Sequence, residues 1–168
     1  MTLIQKQLII WAVSALTIAI AGIWVGESPS GLGGSYFALL MGFPIIIALM
    51  LVLNLMIKQK WFVQFFVGFA FLVLLVVSFS IGSNLYHDAF NDCVEHGEGV
   101  RLALQKYYQK NKMYPKSLSD LNINLPGKLM LHPDILQYEP TKQGYLLRFD
   151  DNFVAFEATE LLPFEAHK

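Results

Sequence analysis

Three long runs without a charged side chain dominate the first half of the chain: Leu8 to Val25, Tyr36 to Ile57 and Trp61 to Ile81. Each is close to the ~20 residues that a helix rising 1.5 Å per residue needs to cross a hydrocarbon core. The pattern therefore predicts three transmembrane helices, at about 8–25, 36–57 and 61–81. Gly26 to Ser35 is rich in Gly, Ser and Pro and predicts a short exposed loop after the first helix. Lys58-Gln59-Lys60 leaves room only for a tight reversal between the second and third.

Past residue 82 the period changes. Phe90, Cys93, Val94, Gly97, Val100, Leu104, Tyr107 and Tyr108 recur at steps of three and four, which predicts an amphipathic helix from Ser83 to Asn111 continuing the third span. Tyr114-Pro115 ends it, because proline cannot continue a helix and restricts the residue before it. Ser117 and Asp120 stand at capping-box spacing, so a short helical turn through Leu121 is expected. Ile135–Glu139, Tyr145–Phe149 and Phe153–Glu157 are β-prone and separated by turn residues, which predicts an antiparallel meander of about three strands. So small a sheet is marginal alone and must pack on the long helix. The predicted fold class is a membrane α-helical region over residues 1–82, followed by a small extracytoplasmic α+β domain over residues 83–168.

Composition agrees with that division. The chain is 55% hydrophobic and 15% charged, against about 25% charged in an ordinary soluble domain. Up to Gly82 the only charged side chains are Lys6, Glu27, Lys58 and Lys60. The basic ones fall on one side of the predicted bundle, whereas Asp88, Asp92, Glu95 and Glu98 follow the third run before any basic residue. Lysines in short flanks stay cytoplasmic, so the N-terminus is expected inside and the C-terminal domain periplasmic, at a bacterial inner membrane. The competing reading makes the first run a cleaved signal peptide, since Ala19-Ile20-Ala21 has the small-x-small pattern of a cleavage site. Net charge is −1, with no basic field to hold nucleic acid. A single cysteine, Cys93, excludes an internal disulfide.

Candidate chemistry is sparse. Asp88, Asp92 and His96 follow four-residue spacing, which places oxygen and nitrogen ligands on one helix face. A solvated polar face opposite the apolar stripe explains the same residues, so no metal is expected. Asp92→Ala and His96→Ala should then leave folding unchanged within about 0.5 kcal/mol. Asp150-Asp151-Asn152 reads as a hairpin turn before it reads as a calcium loop. Cys93 lacks basic neighbours in sequence and reads as small apolar packing. No Asp, Glu, Lys, Arg or His lies within any predicted span, which deprives a proton-coupled transporter of its usual carriers. No catalytic motif and no cofactor site is present.

The run Leu102 to Leu121, with Tyr107-Tyr108, Tyr114-Pro115 and Ser117-Leu118 in it, is followed by strands that include Gly144-Tyr145-Leu146-Leu147-Arg148-Phe149. Over roughly Tyr86 to Ala158 this resembles the headpiece of type IV pilins and of the major type II secretion pseudopilin. The resemblance implies a long helix packed on a small antiparallel sheet, with Tyr107, Tyr108 and Tyr114 capping the sheet core and Pro115 fixing the helix exit. Those four residues are the expected interaction site. Gln5 stands where that family carries a glutamate, and two further spans precede the headpiece, so a fixed membrane anchor is expected instead of assembly into a pilus. The function expected is a non-enzymatic inner-membrane protein presenting a pilin-like domain for protein–protein interaction in a pilus or secretion apparatus. Its partners would be the lipid bilayer and another envelope protein or a homo-oligomer. The alternative is a membrane immunity protein against a membrane-active or periplasmic toxin, which small size, several spans and an acidic outer half also suit.

Overall fold

The computed structural model describes residues 3–28, 61–141, 144–151 and 154–167. The chain forms two compact units, Met1–Asn84 and Leu85–Lys168. The predicted second span, Tyr36 to Ile57, lies outside the described residues.

In the first unit, helix α1 (Leu3–Gly26) lies beside the first part of helix α2 (Trp61–Asn111). Both are long and apolar enough to cross a membrane. Leu8, Val13 and Leu16 of α1, with Phe62, Phe66 and Phe69 of α2, remain exposed, as lipid-facing side chains would be. Small residues bring the two backbones together. A Cβ on Gly82 would come within 3.0 Å of Gly26 Cα, and one on Gly22 would strike the Ser78 side chain. Without a hydrophobic drive between helices in lipid, such close packing is what holds spans together. Gly22 meets Ser78 and Gly26 meets Gly82, so contact advances in the same direction along both helices and they run parallel. The loop expected to begin at Gly26 starts later: α1 runs through Gly26, which packs at this contact, and Glu27 is buried to 1% exposure.

The second unit is built on the rest of α2. Tyr86, Ala89, Cys93, Gly97, Val100 and Leu104 are buried at steps of three and four, as one helix face must be. Val94 and Tyr108 were expected on that face, yet they are 52% and 43% exposed. Consecutive residues diverge by about 100° around a helix, so Cys93 and Val94 cannot both look inward. Gly97 keeps its place on the stripe because a Cβ there would sit 2.9 Å from the Phe164 ring.

After α2 a 3₁₀ turn, η1 (Leu118–Leu121), forms as its capping box predicts: Asp120 Oδ2 accepts from Ser117 N–H at 3.2 Å. Four strands follow in sequential antiparallel order, β1 (Gln137–Pro140), β2 (Tyr145–Asp150), β3 (Ala155–Thr159) and β4 (Glu165–His167). Three were expected; β4 completes the sheet by pairing Phe156 with Ala166. In β2 Tyr145, Leu147 and Phe149 are buried and Arg148 points out, the alternation that a half-covered strand requires. Ile135 and Leu136, expected in the first strand, enter the core from the preceding loop, where Ile135 N–H donates to Gly127 O at 2.8 Å. Phe149 is the centre of the ring packing, stacked on Phe156 at 4.9 Å and edge-on to Phe90 at 5.5 Å. The Tyr86 hydroxyl donates to Asp150 O at 2.5 Å, tying the helix to the end of β2.

Candidate functional site

The expected tyrosine site assembles where α2 ends. The helix stops at Lys112, which adopts a left-handed backbone (φ 57°) and donates its N–H to Tyr108 O at 2.8 Å. That reversal folds Tyr114 back on Tyr108, with ring centroids 4.7 Å apart and planes 24° off parallel. Tyr114 meets Tyr145 edge-on at 5.0 Å, and Tyr138 lies 6.2 Å from Tyr145. Pro115 is buried, and its carbonyl accepts the Tyr138 hydroxyl at 2.8 Å. Three of the four expected residues therefore join one cluster, and Tyr107, half-buried, stays outside the stack. Only Tyr108 offers a large ring to solvent.

Burial sets the chemistry of this cluster. It pushes the Tyr138 phenol up to about 12, with smaller contributions from Tyr114 and Asp120. Burial also drives the Tyr145 phenol far above its ordinary value, with Arg101 opposing. The Tyr145 hydroxyl is buried and has no hydrogen-bond partner among the described residues. Protonated, desolvated phenols neither attack nor accept protons near neutrality. The cluster can pack and bind.

Beside it opens a cavity of about 330 Å³, with Leu118, Leu125, Pro126 and Leu136 among its apolar walls and Lys116, Asp134 and Tyr138 among its polar groups. Sequence reasoning had no signal for it, because its walls come from η1, the 125–136 loop and β1.

The acidic face of α2 does not assemble a ligand cage. His96 Nδ1 lies 2.9 Å from Asp92 Oδ1, but Asp92 Oδ2 is committed to Gly127 N–H at 3.0 Å. Asp88 is exposed, and among the described residues no three of His, Cys, Asp and Glu group together. Asp92 is thus a strut for the 126–127 turn, not the purely solvated residue expected. Gly127 sits at φ +80° with its α-carbon against Cys93, where any Cβ would strike Sγ. The thiol is buried, and that burial, aided by Asp92 and Asp134, pushes it up to about 12. The Cys93 side chain packs in the core. Asp151 Oδ1 accepts Val154 N–H at 2.8 Å, the bond of a turn residue.

Two further carboxylates hold the sheet to its surroundings, Glu98, which the sequence showed only as one of the acidic residues after the third run, and Glu160, for which it gave no signal. Glu98 accepts from Arg101 Nε at 2.6 Å and from Phe164 N–H at 2.9 Å, which pins the segment before β4 to the helix. These bonds hold its carboxyl below the ordinary range although burial, the largest single influence, works against them. Glu160 approaches the start of β2, where its Oε2 lies 3.4 Å from Tyr145 N.

No known protein family, curated protein or solved structure matches this chain.

Proposed function

We propose that the chain is a non-enzymatic inner-membrane protein that presents a pilin-like α+β domain to a protein partner in the periplasm, in a pilus or secretion apparatus. The observation that carries this reading is the continuity of α2. One unbroken helix, Trp61–Asn111, holds both an apolar stretch of spanning length and the stripe on which the sheet packs. A domain whose core is built on its own membrane helix is held at the membrane, and its tyrosine cluster and cavity suit binding better than turnover.

The parallel course of α1 and α2 supports three spans. A chain that leaves α1 at Gly26 and enters a parallel neighbour at Trp61 agrees with the extra span expected from the sequence between them. The apolar run Tyr36 to Ile57 has the length of such a span. Lysines at 6, 58 and 60 support a cytoplasmic N-terminus and a C-terminal domain outside.

Reporter fusions after Gly31, Gln59 and Lys168 test the topology, with outside, inside and outside signals expected. A cytoplasmic signal at Lys168 sinks it. Crosslinking in native membranes tests the interaction, with an adduct to another envelope protein expected from the Tyr108 region.

A further inference from the structure

The face of α2 that looks away from the sheet carries its charges in two separate blocks. At 100° per residue, Asp88 and Glu95 share that face with Lys106 and Lys110, Gly99 and Leu102 lie between the blocks, and Asp92, held by Gly127 N–H and His96, stands at the edge. From Ser83 to Val100 there is no Lys or Arg, and from Gly99 to Ser119 no Asp or Glu. Positions 88, 92, 95, 99, 102 and 106 advance by alternating fours and threes, the spacing of a seam that receives another helix.

A helix face meant only for water gains by interleaving opposite charges four residues apart. Here Lys106 and Lys110 stand four apart and repel, and neither Asp88 nor Glu95 has a Lys or Arg three or four positions away. Among the described residues Asp88, Glu95, Lys106 and Lys110 enter no ion pair. The helix dipole accounts for Lys110 in the last turn but not for acids deep inside the helix. Between the blocks the surface is low and apolar. A Cβ on Gly99 would meet nothing within 4 Å, and Leu102 is 51% exposed. An apolar centre with charged ends is the layout of a docking interface.

We propose that this stripe docks a helix of a different envelope protein whose charges lie in complementary blocks, with Gly99 and Leu102 at the centre of contact. The proposal rests on the interaction reading above and names its surface and partner. A second copy does not fit. Two copies anchored in one membrane run parallel, which sets the acidic block against itself and the lysines against themselves.

The test places a photo-crosslinking residue at Leu102, and separately at Tyr108, in the full chain in native membranes. At Leu102 one adduct is expected, mapping to a helix-patterned partner segment with an acidic and a basic block. Lys106→Glu combined with Lys110→Glu should cut its yield at least tenfold, and Gly99→Leu should cut it by filling the centre. Circular dichroism should show both variants folded, since all three positions are exposed. An adduct with a second copy, a partner segment without charge blocks, or a yield unchanged by the lysine reversals overturns the proposal. An adduct from Tyr108 with none from Leu102 also overturns it and leaves the broader interaction reading standing, whereas no adduct from either position ends both.

Discussion

Gly26 of α1 and Gly82 of α2 face each other so closely that neither has room for a methyl group. At Gly82 an added Cβ meets backbone, with Glu27 N and Gly26 Cα both 3.0 Å away; at Gly22 it meets the Ser78 hydroxyl, which can turn aside. Gly82→Ala should therefore destabilise the helix pair by about 1–3 kcal/mol, the usual scale of overpacking, and more than Gly22→Ala does. Gly99→Ala, in open helix, should stabilise the second unit by about 0.5–1 kcal/mol. Thermal unfolding of the three variants in detergent gives the ranking, and equal losses at Gly82 and Gly99 would refute it.

Tyr138 and Tyr145 sit in one cluster but differ in what their hydroxyls touch. Tyr138→Phe removes the bond to Pro115 O and should cost about 0.5–1.5 kcal/mol. Tyr145→Phe removes a buried hydroxyl without a partner and should be neutral or stabilising. Paired denaturant titrations decide this, and a larger loss at Tyr145 would mean that its hydroxyl is satisfied in solution.

Asp92 and His96 should part company in the same way. Asp92→Ala strands the Gly127 N–H and is expected to cost about 1–3 kcal/mol, the penalty of an unmet buried donor. His96→Ala, at an exposed pair, should stay within about 0.5 kcal/mol. Elemental analysis of purified protein should find no stoichiometric metal; tightly bound metal lost in both variants would make this face the functional centre.

Alkali should unfold the second unit. Cys93 keeps its proton to about 12 when folded, while the unfolded thiol releases it near 9.0, and buried phenols at Tyr138, Tyr86 and Tyr145 are raised in the same sense. The unfolded chain therefore binds fewer protons at high pH. Stability is fully present below pH 9 and declines from there toward pH 12, at about 1.4 kcal/mol per pH unit for each group titrating only when unfolded. Cys93→Ala should delay the onset by removing the group that titrates first. A flat unfolding free energy from pH 9 to 11 would contradict this.

Much of the second unit is readable from period alone. The α2 stripe, the break at Pro115, the capping box at Ser117 and the heart of β2 all follow from local rules that the structure obeys. The misses share a cause, because each depends on a partner distant in sequence. Glu165-Ala166-His167 has no strand pattern and becomes β4 only by pairing with β3. Glu27 reads as loop, yet it is buried beside the contact of Gly26 with Gly82. Asp92 reads as solvated and is claimed by a glycine thirty-five residues on. The tyrosine cluster was legible in membership more than in shape, since the left-handed turn at Lys112, a residue without any special liking for it, decides which rings meet.

The sheet order β1-β2-β3-β4 also has a meaning in time. Every strand pairs only with its neighbours in the sequence, and the helix that receives them has already been synthesised when the first strand appears. Loop closures stay short, so the domain can zip up in the order in which it emerges, hairpin upon hairpin, without holding an unpaired edge open for a segment still to come. The folding chain is thereby spared a long exposure of unpaired strand edges, and β4, three residues long, leaves only a short edge at that side of the finished sheet.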